Sequence, residues 1–140
     1  MAGGAVKGRF SLQIATLGDD QLAGAALERF FEAMTRFNVD FLSTHPDFPN
    51  LYESGVRYRR ERPEIWKDIP TAMRDGWDDC EGLSSWLAAE LRVRRGMPNA
   101  RVKLIQQPTI GRKLWHAIVY DPDSNRRFDP SKRLGMRGSA

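Results

Sequence analysis

The chain has a single cysteine, Cys80, among 140 residues. That excludes an internal disulfide framework and fits a reducing, cytoplasmic setting. Histidines number two, His45 and His116, so a zinc site on Cys80 and His116 would have to complete its ligand set with carboxylates. No apolar run approaches the ~18 residues that cross a bilayer; the longest, Leu114 to Tyr120, contains a histidine. Residues 1–14 lack an apolar stretch of signal-peptide length, so export by that route is not expected. Internal repeats and low-complexity tracts are also missing, which excludes solenoid and linker architectures.

What remains is an ordinary globular composition, 41% hydrophobic and 29% charged. At this length one domain over residues 1–140 can bury roughly two-thirds of its unfolded surface. The formal net charge of +4 is unevenly spread. Residues 1–70 sum to −1 and residues 71–140 to +5, yet Arg57, Arg59, Arg60 and Arg62 crowd one short segment of the first half. Interleaved with Tyr58, that cluster admits a nucleic-acid reading. A solvated loop or a protein-binding face is the favoured one. The same arginines could instead pair with the acidic group at residues 75–81.

Periodicity predicts an α+β fold. Phe10, Leu12 and Ile14 alternate with small and polar residues, giving a strand over 9–17. Gly18-Asp19-Asp20 closes it and offers a helix cap. Leu27, Phe30, Met34, Phe37 and Phe41 then fall at steps of three and four, which predicts an amphipathic core helix over 20–43. Residues 51–70 lack a period and carry Pro63 and Pro70. They read as a structured loop with a helical turn near Glu64 to Asp68.

A helix over 79–95 follows. Asp78 stands three residues before Glu81, the spacing of a carboxylate cap with a reciprocal acceptor. Leu83, Trp86, Leu87 and Leu91 make its stripe, and Gly96 and Pro98 stop it. Strands are expected at 101–107, 114–120 and 126–129, with turns around Pro108 and Gly111 and at residues 121–125. Leu114, His116, Ile118 and Tyr120 share one strand face; Trp115, Ala117 and Val119 share the other. Residues 132–140 form a patternless tail.

Three residues carry chemistry in this arrangement. Cys80 lies in the first turn of a helix, where unpaired N–H groups and the dipole favour a thiolate. His116 lies within a strand, and Asp129 ends the next one; a short turn between the strands brings the carboxylate back towards the imidazole. A thiol, a base and a group that orients the base are the parts of nucleophilic catalysis by sulfur. Against this, Asp78, Asp79 and Glu81 flank the cysteine, and adjacent negative charge raises a thiol pKa. The bland readings are a buried apolar Cys80, a core His116 and an Asp129 that merely precedes Pro130.

The run Trp77-Asp78-Asp79-Cys80-Glu81-Gly82-Leu83, continuing through Ser84 to Arg92 and Gly96-Met97-Pro98-Asn99-Ala100-Arg101-Val102, resembles the cysteine helix and following strand of transglutaminase-like, papain-fold proteins. Leu114-Trp115-His116-Ala117-Ile118-Val119-Tyr120 resembles their histidine strand, and Arg127-Phe128-Asp129-Pro130-Ser131 their aspartate segment. The resemblance covers residues 76–131, and it extends to the small members encoded by tailed phages and prophages. It implies a catalytic-type helix packed on a small antiparallel sheet, preceded by an N-terminal strand and long helix. It also implies Cys80 as nucleophile, His116 as base and acid, and Asp129 as orienting carboxylate. Cys80 N–H would be one oxyanion donor, with Tyr58, Trp66 and Trp77 candidates for the second; Trp77 and Trp115 are candidate cleft walls.

The expected function is that of a cysteine-dependent peptidase, amidohydrolase or transamidase acting on a protein or peptide through a thioester, without cofactor or metal. The alternative is a non-catalytic structural or interaction module that keeps the fold, virion-associated if phage-encoded.

Overall fold

The computed structural model describes residues 20–60, 65–109 and 112–136. The strand expected at 9–17, Asp19 of the expected cap, and Arg62 lie outside the described residues. Within them the fold is mixed α+β. In chain order it comprises α1 (Asp20–Thr44), a 3-10 turn (Leu51–Glu53), β1 (Arg57–Tyr58), α2 (Ile69–Asp75), β2 (Trp77–Asp78), α3 (Cys80–Arg94), β3 (Arg101–Thr109), β4 (Arg112–Asp121), β5 (Arg126–Phe128) and α4 (Pro130–Arg133). β3, β4 and β5 form an antiparallel sheet in that order, and β1 and β2 form a two-residue parallel ladder. Among the described residues no helix is long and apolar enough to cross a membrane.

α1 runs where the periodicity places it, but its buried stripe is rotated. Phe31, Met34, Thr35, Asn38 and Leu42 are buried, whereas Phe37 is 69% exposed. The rotation follows from a polar contact that a hydrophobic count ignores. Asn38 Oδ1 accepts the backbone N–H of Ile69 at 3.2 Å, so the polar side chain turns inward to satisfy the start of α2.

The stretch read as a loop holds three short elements. Its helix lies later than expected, at Ile69–Asp75, and residues 65–68 are irregular. The cause is Asp68, whose side chain caps Thr71 N–H at 2.9 Å, with Pro70 in the first turn; proline there loses no hydrogen bond. Gly76, at φ 80°, ends α2 in the left-handed region. The chain is thereby turned into β2, which leads directly into α3.

α3 packs against α1 and lies across β3 and β4. Leu83, Trp86, Leu87 and Leu91 are buried in one cluster with Phe31, Met34, Leu42, Val102, Leu104 and Val119. Arg92 ties the helix to its surroundings by donating to Ala100 O at 2.7 Å and to both carboxylate oxygens of Glu32 on α1. The β3–β4 ladder runs from Arg101↔Tyr120 out to Thr109↔Arg112, so β3 extends through Pro108, a residue expected to turn; Gly111 lies outside the described residues. β5 pairs only with Val119 to Asp121. Beyond it the chain does not trail off. α4 buries Pro130 and Ser131, Leu134 follows as a buried residue, and Leu134 O accepts Tyr58 N–H at 3.0 Å.

Candidate active site

The cysteine enters its position through a cap, and the capping residue is not the expected one. Asp79 is the N-cap of α3, with extended backbone (φ −92°, ψ −176°) and Oδ1 accepting Gly82 N–H at 3.1 Å. Asp78, expected to cap, instead ends β2 and is buried. Cys80 is therefore the first residue of the helix, where backbone N–H groups have no intrahelical acceptor. It is free and half-buried.

β4 supplies the imidazole. Its alternation puts Ala117 and Val119, both fully buried, into the central core cluster, and the side chains of His116 and Ile118 on the opposite strand face. His116 is 5% exposed, and its Nε2 lies 2.8 Å from Asp129 Oδ2. An ionised carboxylate can only accept, so Nε2 carries the proton of this bond, and the tautomer it selects when the ring is neutral has its lone pair at Nδ1. Asp129 divides its two oxygens: Oδ2 orients the imidazole, while Oδ1 accepts Lys132 N–H at 3.2 Å and caps α4. Burial pushes this carboxyl up, but the His116 hydrogen bond and charge outweigh it and, with Lys132, hold it below the usual range.

Helix and strand meet at Ala117, the residue after His116. β5 stops short of this point, and α3 makes contact with β4 there. Ser84 Oγ, one turn from Cys80, donates to Ala117 O at 3.1 Å, and the backbone of Ala117 stabilises the sulfur. The thiol thus reaches the strand beside the imidazole's own backbone. No hydrogen bond joins sulfur to imidazole among the described residues. Burial pushes the Cys80 thiol far above its ordinary value, and the charges of Glu81 and Asp79 push it the same way, against the pull of the Ala117 backbone. The resting group is a thiol rather than the thiolate that the helix dipole alone would favour.

The aromatic candidates separate. Tyr58 lies in register with Asp78 across the β1–β2 ladder. Its hydroxyl is pushed up by burial and then by the nearby Cys80, so it stays a protonated donor. Trp77 has Lys67 Nζ 3.1 Å from its ring centroid and the Arg59 guanidinium at 4.9 Å. Trp66 packs against the core, with Nε1 buried and unpartnered. Trp115 lies over α1, where a Cβ on Gly24 would meet its ring at 2.9 Å; it is not gathered with Cys80.

Among the described residues, Arg57, Arg59 and Arg60 are not the ion-pair partners of Asp75. Asp75 is paired with Lys67 and Arg74, both at 3.1 Å. Arg57 and Arg59 are held through backbone bonds to Gly76 O and Asp78 O. Ser84 is the contributor that residue-by-residue reading misses. Its spacing of four from Cys80, which puts both on one helix face, is the signal that could have found it. Among the described residues no group of three His, Cys, Asp or Glu side chains is placed to hold a metal ion. Comparison with protein-family models, with curated proteins and with solved structures finds no match to this chain.

Proposed function

We propose that the chain is a cysteine-dependent, amide-acting enzyme of the transglutaminase-like, papain-fold kind. One observation carries the reading: His116 Nε2 is clamped by Asp129 Oδ2 at 2.8 Å, while the sulfur of Cys80 rests on the next residue of the same strand. A carboxylate that fixes the tautomer of an imidazole beside a helix-terminal thiol is the arrangement that sulfur nucleophilicity needs.

In this reading His116 Nδ1 takes the Cys80 proton as the sulfur attacks an amide carbonyl. The oxyanion forms at the unpaired N–H of Cys80. Collapse expels the amine, which takes the proton back from the imidazolium, and leaves a thioester on Cys80. Water then gives a hydrolase and a second amine gives a transamidase. The raised pKa of the thiol makes proton transfer accompany the attack of the sulfur instead of a standing ion pair. The substrate class is a protein or peptide amide.

A second reading, a non-catalytic module that keeps this architecture, is favoured by the burial and negative surroundings of the thiol. The two separate in one experiment. The protein is incubated with an activated acyl ester, and the adduct is located by peptide mass spectrometry. The enzyme reading expects an acyl group on Cys80 that turns over, with loss of the adduct in His116→Ala. An unmodified Cys80 in a folded protein would leave the module as the reading.

A further inference from the structure

Asp78 stands two residues before the thiol and is only 1% exposed. Its Oδ1 accepts Asp79 N–H at 2.8 Å, and its Oδ2 is buried with no partner among the described residues. Its main chain is fixed too, since Arg59 N–H donates to Asp78 O at 2.8 Å. The carboxyl is lodged against α3 at the one place where the helix has no side chain. A Cβ on Gly82 would lie 1.9 Å from Oδ2 and 2.3 Å from the carboxyl carbon. A side chain at this position would displace the carboxyl.

The charges around this carboxyl do not neutralise it. Asp79 and Glu81 of the α3 start are negative, and both raise its pKa. Lys67, from the segment before α2, pulls the other way, but it is engaged by Asp75 at 3.1 Å and by the Trp77 ring. Arg59 of the neighbouring strand lies over Trp77. A carboxylate ion buried without a contacting cation is strongly disfavoured, and a neutral acid of the same shape much less so. Burial, followed by the charge of Asp79, accordingly holds Asp78 well above the carboxylate range.

We propose that Asp78 is a positioning residue for Cys80, a neutral carboxylic acid seated in the gap at Gly82 that sets where the first turn of α3 rests. Through that turn it fixes the sulfur against Ala117. The proposal rests on the reading of Cys80 as the reacting thiol, and its two measurements fail separately.

The native state binds a proton at Asp78 that the unfolded chain releases above the ordinary carboxylate pKa. Its contribution is therefore complete below that pKa and is lost as pH rises towards the raised native one. Urea unfolding of the full chain across pH, and the pH dependence of Cys80 alkylation by iodoacetamide, are compared for wild type, Asp78→Asn, Gly82→Ala, Asp78→Ala and the double variant Asp78→Ala/Gly82→Ala. Asp78→Asn is expected to be at least as stable as wild type at neutral pH, with a margin that widens as pH rises, and to keep the wild-type alkylation rate within about threefold at neutral pH. Gly82→Ala and Asp78→Ala should each change that rate by roughly tenfold or more. The double variant should recover both stability and rate, because the new methyl fills the seat the carboxyl leaves.

Destabilisation of Asp78→Asn at neutral pH, or a double variant no better than Gly82→Ala, would overturn the seated-acid geometry. Recovery of stability without recovery of alkylation would leave Asp78 as packing and overturn its positioning role. An inert Cys80 in wild type would defeat the reading of the thiol, and with it the positioning role, while the unfolding arm still decides how the carboxyl is seated.

Discussion

His116 and Cys80 come to neighbouring points of β4, yet their surroundings treat charge in opposite ways. The imidazole faces Asp129 at 2.8 Å, whose ionised form is favoured, so a proton arriving on the ring meets a counter-charge already in place. The sulfur is half-buried with Glu81 and Asp79 as its charged neighbours, so a negative charge arriving there meets repulsion and poor solvation. One half of the site sets an opposite charge beside its titratable group, and the other sets like charges there. The difference teaches that helix-terminal placement does not by itself make a thiolate. An exposed dipole effect is about 0.3–1 kcal/mol, and burial with adjacent carboxylates exceeds it. Reactivity then has to come from the imidazole as the proton leaves.

The strongest way to break this comparison is His116→Ala. If the imidazole supplies what the sulfur lacks, acylation of Cys80 should fall by roughly a hundredfold or more, measured as adduct formed against time. An unchanged rate would mean that the two halves act independently.

Ser84→Ala addresses the joint between them. It leaves Ala117 O, in a fully buried residue, without its hydroxyl donor, and should lower stability by about 1–3 kcal/mol in denaturant titrations. Acylation should slow in the surviving folded protein.

Glu81→Gln sharpens the sulfur side. Removing the charge that stands next after burial in raising the thiol pKa should speed alkylation at neutral pH by roughly threefold to tenfold. A slower rate would show that the carboxylate assists the thiol.

Asp129→Asn tests the other half with the smallest effect. The depressed native pKa means that Asp129 adds stability above its unfolded pKa, and that this is lost as pH falls through the native value. The Asn variant should show a flatter decline in unfolding free energy on acidification while keeping its fold at neutral pH.

Where the chain obeys simple periodicity, its structure is legible. The 20–43 and 79–95 helices and the strands around Val102, His116 and Arg127 follow from spacing and stop signals, and the return of Asp129 to His116 follows from a short turn. Illegible parts are those decided by one side chain's hydrogen bond. Asn38 rotates α1, Asp68 starts α2, and Asp129 caps a short helix where the residues after Pro130 show no pattern. The exchange of roles between Asp78 and Asp79 has the same origin. Two adjacent aspartates are equivalent in a capping pattern, and only the gap at Gly82 decides which one turns inward. The depth of the thiol was hidden as well, because the residues that bury it come from several elements.

The bond from Ser84 to Ala117 O has a consequence for which connections can change length. It docks the cysteine helix straight onto the histidine strand, so the link between Arg95 and Ala100 carries chain without setting the gap between thiol and imidazole. Extra residues inserted there would cost closure entropy that grows only slowly with length and leave the spacing intact. The hairpin turn at residues 122–125 has no such bypass. It joins β4 directly to β5 and sets their register, so one added residue would tend to carry the carboxylate away from the ring it holds.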